Sequence, residues 1–141
     1  IYVNLLRTSF LLTLCEWGDR IGRSQADRQL FEHTANDLRR HLTYGIEHLK
    51  YYLQTDPGRR TQVRTWLSRG EVMMAADLRR DKPLREALIL ALGDTVEEGK
   101  ARLKELREAQ LRKYVLSLEA ATVYGHGDHI VPQLKDAIEH S

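Results

Sequence analysis

Apolar side chains recur along this chain at three- and four-residue steps in one segment after another, and sustained alternation with β-branched residues is absent. The first rhythm lays an apolar stripe along one face of an α-helix, whereas half-buried strands would need the second. The expected fold class is therefore all-α: an antiparallel helical bundle with additional C-terminal helices. At 141 residues, one domain spanning 1–141 suffices, since a chain of this size removes roughly two thirds of its unfolded surface from water. It begins with isoleucine rather than methionine, which leaves room for further helices upstream.

The first helix is expected from about Tyr2 to Ile21. Val3, Leu6, Phe10, Leu14, Trp17 and Ile21 keep the helical step, while Leu5, Leu11, Leu12 and Cys15 lie on other sides. A helix apolar on more than one face belongs in the middle of a bundle or at an interface between chains. A homo-oligomer or a protein partner, bound through this helix, is expected from it. Asn4 and Arg7 interrupt the leucine-rich run and Glu16 follows it, so it reads as a buried helix and not as a signal or membrane segment.

Gly22 ends that helix, and Ser24 with Asp27 forms a variant capping box for the next. Helix two runs to about Gln54 on a core stripe of Phe31, Leu38, Leu42, Ile46, Leu49 and Leu53. The turn Asp56-Pro57-Gly58 leads into helix three, about Arg60 to Arg80, with Val63, Trp66, Leu67, Met73, Met74 and Leu78 as its apolar members. Pro83 suits the first turn of a short helix four carrying Leu84, Leu88, Ile89 and Leu92. Asp94 with Glu97 is the expected cap of helix five, about Thr95 to Val123. Its strong charge and narrow stripe of Val96, Leu103, Leu106, Tyr114, Leu118 and Ala121 mark an outer helix. Val131 to His140 forms a last short helix.

Charge and cysteine content narrow the function. A net charge of +2 is too small to imply nucleic acid or anionic lipid, and the arginine pairs at 39–40, 59–60 and 79–80 are interleaved with acidic residues. No nucleic-acid or membrane partner is expected. Cys15 is the single cysteine, which excludes an intrachain disulfide and a cysteine-rich metal site and fits a reducing cytoplasmic setting.

Chemistry-bearing residues are densest in helix two, at Asp37-Leu38-Arg39-Arg40-His41-Leu42-Thr43-Tyr44-Gly45. This stretch resembles the Asp-Glu-x-Arg-His-x-x-Tyr-Gly pattern of the ferritin-like di-iron carboxylate superfamily, over about residues 10–53. In that family a glutamate and a histidine three residues later point into the bundle core and bind iron or manganese, and a preceding helix supplies another glutamate. The resemblance implies Glu16 and His41 as metal ligands, with Asp37, Arg40 and Tyr44 as residues supporting them. Leu38 stands where the family has its metal-binding glutamate, and no glutamate in the chain is followed three residues later by histidine. One chain therefore lacks the full ligand set.

Three readings of function follow. The first is a ferritin-like bundle with an incomplete metal site, acting as a non-catalytic subunit or binding scaffold. The second is an active di-iron or di-manganese oxidoreductase completed by upstream helices or a second chain. The third is an unrelated helical protein-interaction module. Glu16 itself has two readings, a metal ligand or a carboxylate paired with Arg39 or Arg40. His33, Asp37, His41, Tyr44 and His48 project within about 80° of one another around helix two, a flank that suits either a metal or solvent. His126, Asp128 and His129 form a further dense set, read as an exposed loop.

Overall fold

A computed structural model describes residues 3–124 and 129–140, with backbone alone at 3 and 4. Among them the secondary structure is helical throughout, and no helix is long and apolar enough to cross a membrane. After a π-helical turn, Val3–Arg7, come α1 (Thr8–Glu16), α2 (Gly18–Ile21), α3 (Gln25–Thr55), a 3-10 turn at Pro57–Arg59, α4 (Arg60–Arg80), α5 (Lys82–Leu92), α6 (Val96–Ala120) and α7 (Pro132–Glu139).

Several boundaries follow the local chemistry of the sequence. Ser24 caps α3 in a reciprocal box: its hydroxyl accepts from Asp27 N–H at 3.1 Å, and Asp27 Oδ2 accepts from Ser24 N–H at 3.0 Å. Asp81 caps α5 by accepting from Leu84 N–H, with Pro83 in the first turn. The cap of α6 differs from the expected Asp94: Thr95 Oγ1 accepts from Glu98 N–H at 3.2 Å, and Glu98 Oε2 reaches back to Asp94 N–H at 3.0 Å. A hydroxyl one residue closer to the helix satisfies the free amide directly.

The first helix is also not continuous. Trp17 leaves helical geometry (φ −87°, ψ 8°), and the chain restarts as α2. At Gly18, an added Cβ would lie 2.3 Å from Phe31 Cβ, so the break coincides with the point where α2 meets α3 backbone-close.

α1 lies between α3 and α6, the middle position that its several apolar faces require. Leu5, Leu6, Phe10 and Leu12 are buried with Leu42, Leu49 and Leu53 of α3, Val63 and Leu67 of α4, Tyr114 and Leu118 of α6, and Leu134 and Ile138 of α7. A second cluster joins Leu88, Ile89 and Leu92 of α5 to Leu103 and Leu106 of α6, against Leu14, Trp17 and Ile21. α6 is thus not an outer helix: it packs against α1, α3, α5 and α7. Its polar positions disguise this, because Ser117 and Gln110 are buried against α1, where Gln110 Nε2 donates to Phe10 O at 2.9 Å. On α4, Trp66 and Met73 are exposed and not core members; they lie off the stripe of Val63, Leu67, Met74 and Ala75.

The α5–α6 crossing brings two backbones into contact. A Cβ on Gly99 would sit 2.1 Å from Ile89 O, and one on Gly93 would sit 2.3 Å from Gly99 N. Glycine is required where two backbones touch. Gly99→Ala should therefore lower unfolding free energy by about 1–3 kcal/mol by urea denaturation, the overpacking cost exceeding alanine's better helix propensity. A variant as stable as the parent would show that the two helices part freely.

Candidate functional site

Two charged side chains lie within apolar helix stripes, and their surroundings differ. Glu71, on the stripe of Val63, Leu67, Met74 and Ala75, is fully buried. Tyr114 Oη–H donates to its Oε1 and Val131 N–H to its Oε2, both at 2.9 Å. These bonds tie α4 to α6 and to the start of α7. Burial raises the Glu71 carboxyl above the usual carboxylate range, opposed by the Val131 and Tyr114 bonds and by Lys135. Both carboxyl oxygens are engaged, so the group is a structural clasp.

Arg107, four residues after Leu103 on α6, is 6% exposed. Its Nη1–H donates to Gln110 Oε1 at 2.9 Å, but its Nε–H is buried without an acceptor. No ion pair reaches it among the described residues. Burial pulls its pKa down to about 10; the charge of Asp81 opposes that drop and the like charge of Arg85 adds to it. The guanidinium therefore remains cationic at neutral pH. Arg85 has a buried, unpartnered Nε–H of its own. A buried donor left without a partner costs about 1–3 kcal/mol, and more when charged.

Arg107 forms part of the wall of a cavity of about 390 Å³ at the junction of four helices. α1 supplies Phe10, Leu11 and Leu14; α4 supplies Met74 and Leu78; α5 supplies Leu84 and Leu88. Arg7, Asp77, Arg80, Asp81 and Gln110 complete the lining. The cavity lies between the two apolar clusters, touching Phe10 and Met74 of the first and Leu88 and Leu14 of the second. A concave, mostly apolar space with one buried cation has the composition of a small-molecule site.

The residues singled out from the sequence lie elsewhere. Glu16, its side chain 27% exposed, is paired with Lys113 Nζ at 2.6 Å and Arg39 Nη2 at 3.3 Å, the ion-pair alternative for that carboxylate. His41 is exposed, and at 100° per residue it points about 200° around α3 from Arg39. Asp37 and Arg40 pair with each other in solvent, at 62% and 80% exposure. Tyr44 is exposed and stacks on His48, ring centroids 5.8 Å apart. His33 is exposed as well. Leu38 packs against the core. His129 stacks on Tyr124 at 4.5 Å, whereas His126 and Asp128 lie outside the described residues.

These positions do not fit a di-metal centre. Leu38 has no lone pair to offer, Glu16 is held by two cations, and His41 faces away from the side of α3 that Glu16 meets. Among the described residues, no group of three or more His, Cys, Asp or Glu side chains is placed to hold a metal ion. No protein-family model, curated protein or solved structure matches the chain.

Arg107 and Gln110 were not singled out from the sequence, although a signal was present. They fall on the run Leu103, Leu106, Arg107, Gln110, Tyr114, where polar types occupy core spacing. Glu71 gives the same signal on α4.

Glu71 makes a pH prediction. Because its folded-state pKa is raised, its stabilising contribution is complete below the ordinary glutamate range and is lost as pH rises through the raised value. The parent protein should gain stability relative to Glu71→Gln as pH falls from neutral toward the ordinary glutamate value of 4.5, measured by denaturant unfolding across a pH series. A difference that stays constant with pH would mean that the carboxyl titrates normally.

Proposed function

We propose that this chain is a non-catalytic helical binding scaffold that holds a small molecule in the cavity among α1, α4, α5 and α6. One observation carries the reading: Arg107 keeps a buried positive charge in the cavity wall with no carboxylate paired to it. Beyond the hydrogen bond to Gln110, a fold gains little from such a group, since an apolar side chain of similar length would pack there without the desolvation cost. Groups that cost stability and face a cavity are characteristic of sites kept for a ligand.

The ferritin-like kinship belongs to this proposal as lineage. Its support is Leu38, which turns toward the core from the position that the family gives to its glutamate, and extends the apolar packing there. Association with a second copy or another protein through the first helix is a lesser part, because α3 and α6 already cover two of its sides. The exposed large apolar residue of α1 is Leu11, at 43%, and it lines the cavity.

The test is a trade between stability and binding. Arg107→Met should raise unfolding free energy by roughly 1–2 kcal/mol, the relief of a buried charge exceeding the loss of the Gln110 hydrogen bond. A drop in stability would identify Arg107 as a structural residue and remove the basis of the reading. Two equivalents of tightly bound iron per purified chain, by elemental analysis, would also defeat it.

A further inference from the structure

We infer that the occupant is an amphipathic monocarboxylate of medium chain length, its carboxylate on Arg107 and its alkyl body between α1, α4 and α5. This rests on the binding reading above and adds the identity of the ligand class. Charge sets the first limit. The lining carries Arg7, Arg80 and Arg107 against Asp77 and Asp81, one positive charge in excess, which a single anionic group neutralises. Arg7 and Arg80 are exposed, so only Arg107 offers its charge from a buried position.

The two aspartates do not fill that role. Asp81 Oδ1 accepts from Leu84 N–H and caps α5, and neither aspartate reaches Arg107 as an ion pair. A guanidinium pairs with a carboxylate through two parallel N–H donors. With Nη1 already on Gln110 Oε1, the remaining edge is that of Nε and Nη2, and a carboxylate bound along it would satisfy the Nε–H that has no acceptor.

Apolar walls set the second limit. Phe10, Leu14, Met74, Leu78 and Leu88 line the cavity and would gain from covering an alkyl chain, whereas a phosphate or a dicarboxylate would need a second buried donor. Gln110, the other buried polar group, places one amide N–H on Phe10 O and its oxygen on Arg107, which turns it toward the protein. Volume sets the third. A cavity of about 390 Å³ that opens to solvent beside the exposed Leu11 and Leu84 has room for an alkyl chain of medium length but not for a bulky ring system. Octanoate and decanoate are of that kind.

Calorimetric titration of the full chain with decanoate, decanol, acetate and inorganic phosphate tests this, using the parent, Arg107→Met and Arg107→Lys, with the ligand kept below its aggregation concentration. Decanoate should bind the parent, Arg107→Met should weaken it about tenfold or more, and Arg107→Lys should fall between, retaining the charge without the fork. Decanol should bind weakly and equally to the parent and Arg107→Met; acetate and phosphate should give no heat. Circular dichroism establishes that each variant is folded. If decanol binds as tightly as decanoate and Arg107→Met makes no difference, the carboxylate assignment fails while the cavity reading stands. If neither binds a folded parent protein, both fail. Phosphate binding that depends on Arg107 would overturn the monocarboxylate in favour of a simple oxyanion site.

Discussion

The arrangement depends on α1 being enclosed. Short and apolar on several sides, it lies between α3 and α6, and both of those helices bury part of their core stripes against it. The contact is not purely apolar. Ser9 and Ser117 hydroxyls meet at 3.4 Å, Thr13 Oγ1 donates to Ser9 O at 2.8 Å, and Gln110 reaches the Phe10 carbonyl. Small hydroxyl side chains let the helices approach while their polar atoms are satisfied locally. The same enclosure brings α4 and α5 around the open flank of α1, and the cavity is the space they leave.

Much of the helical framework was legible in the sequence because it is written locally. The Ser24–Asp27 box, the Asp56-Pro57-Gly58 turn, the α4 span from Arg60 to Arg80 and Pro83 at the start of α5 each follow from a few adjacent residues. What failed was what depends on distant partners. The break at Trp17 falls where Phe31, distant in sequence, crosses Gly18. The interior position of α6 was hidden because its buried polar residues resemble a solvent face when read from one helix alone.

The site shows the same limit more sharply. A short pattern concentrates side chains with chemical potential at Asp37, Arg40, His41 and Tyr44, yet these residues meet solvent and one another. Arg107 and Glu71 are hard to recognise from sequence because single charges in an apolar stripe look like interruptions of it. In the fold they separate into two kinds. Glu71 has donors on both oxygens and fastens three helices. Arg107 has one partner and a donor to spare. Hydrogen-bond satisfaction, which only coordinates provide, distinguishes the girder from the gap.

The junction between α4 and α5 gives the cavity a particular character. A single residue, Asp81 (φ −82°, ψ 63°), separates the end of one helix from the start of the next, and both helices form walls. There is no slack segment at that corner to yield to an oversized guest. The two walls are joined through one residue, so a guest is fitted at that corner by main chain, while the exposed Leu11 and Leu84 leave the cavity open to solvent.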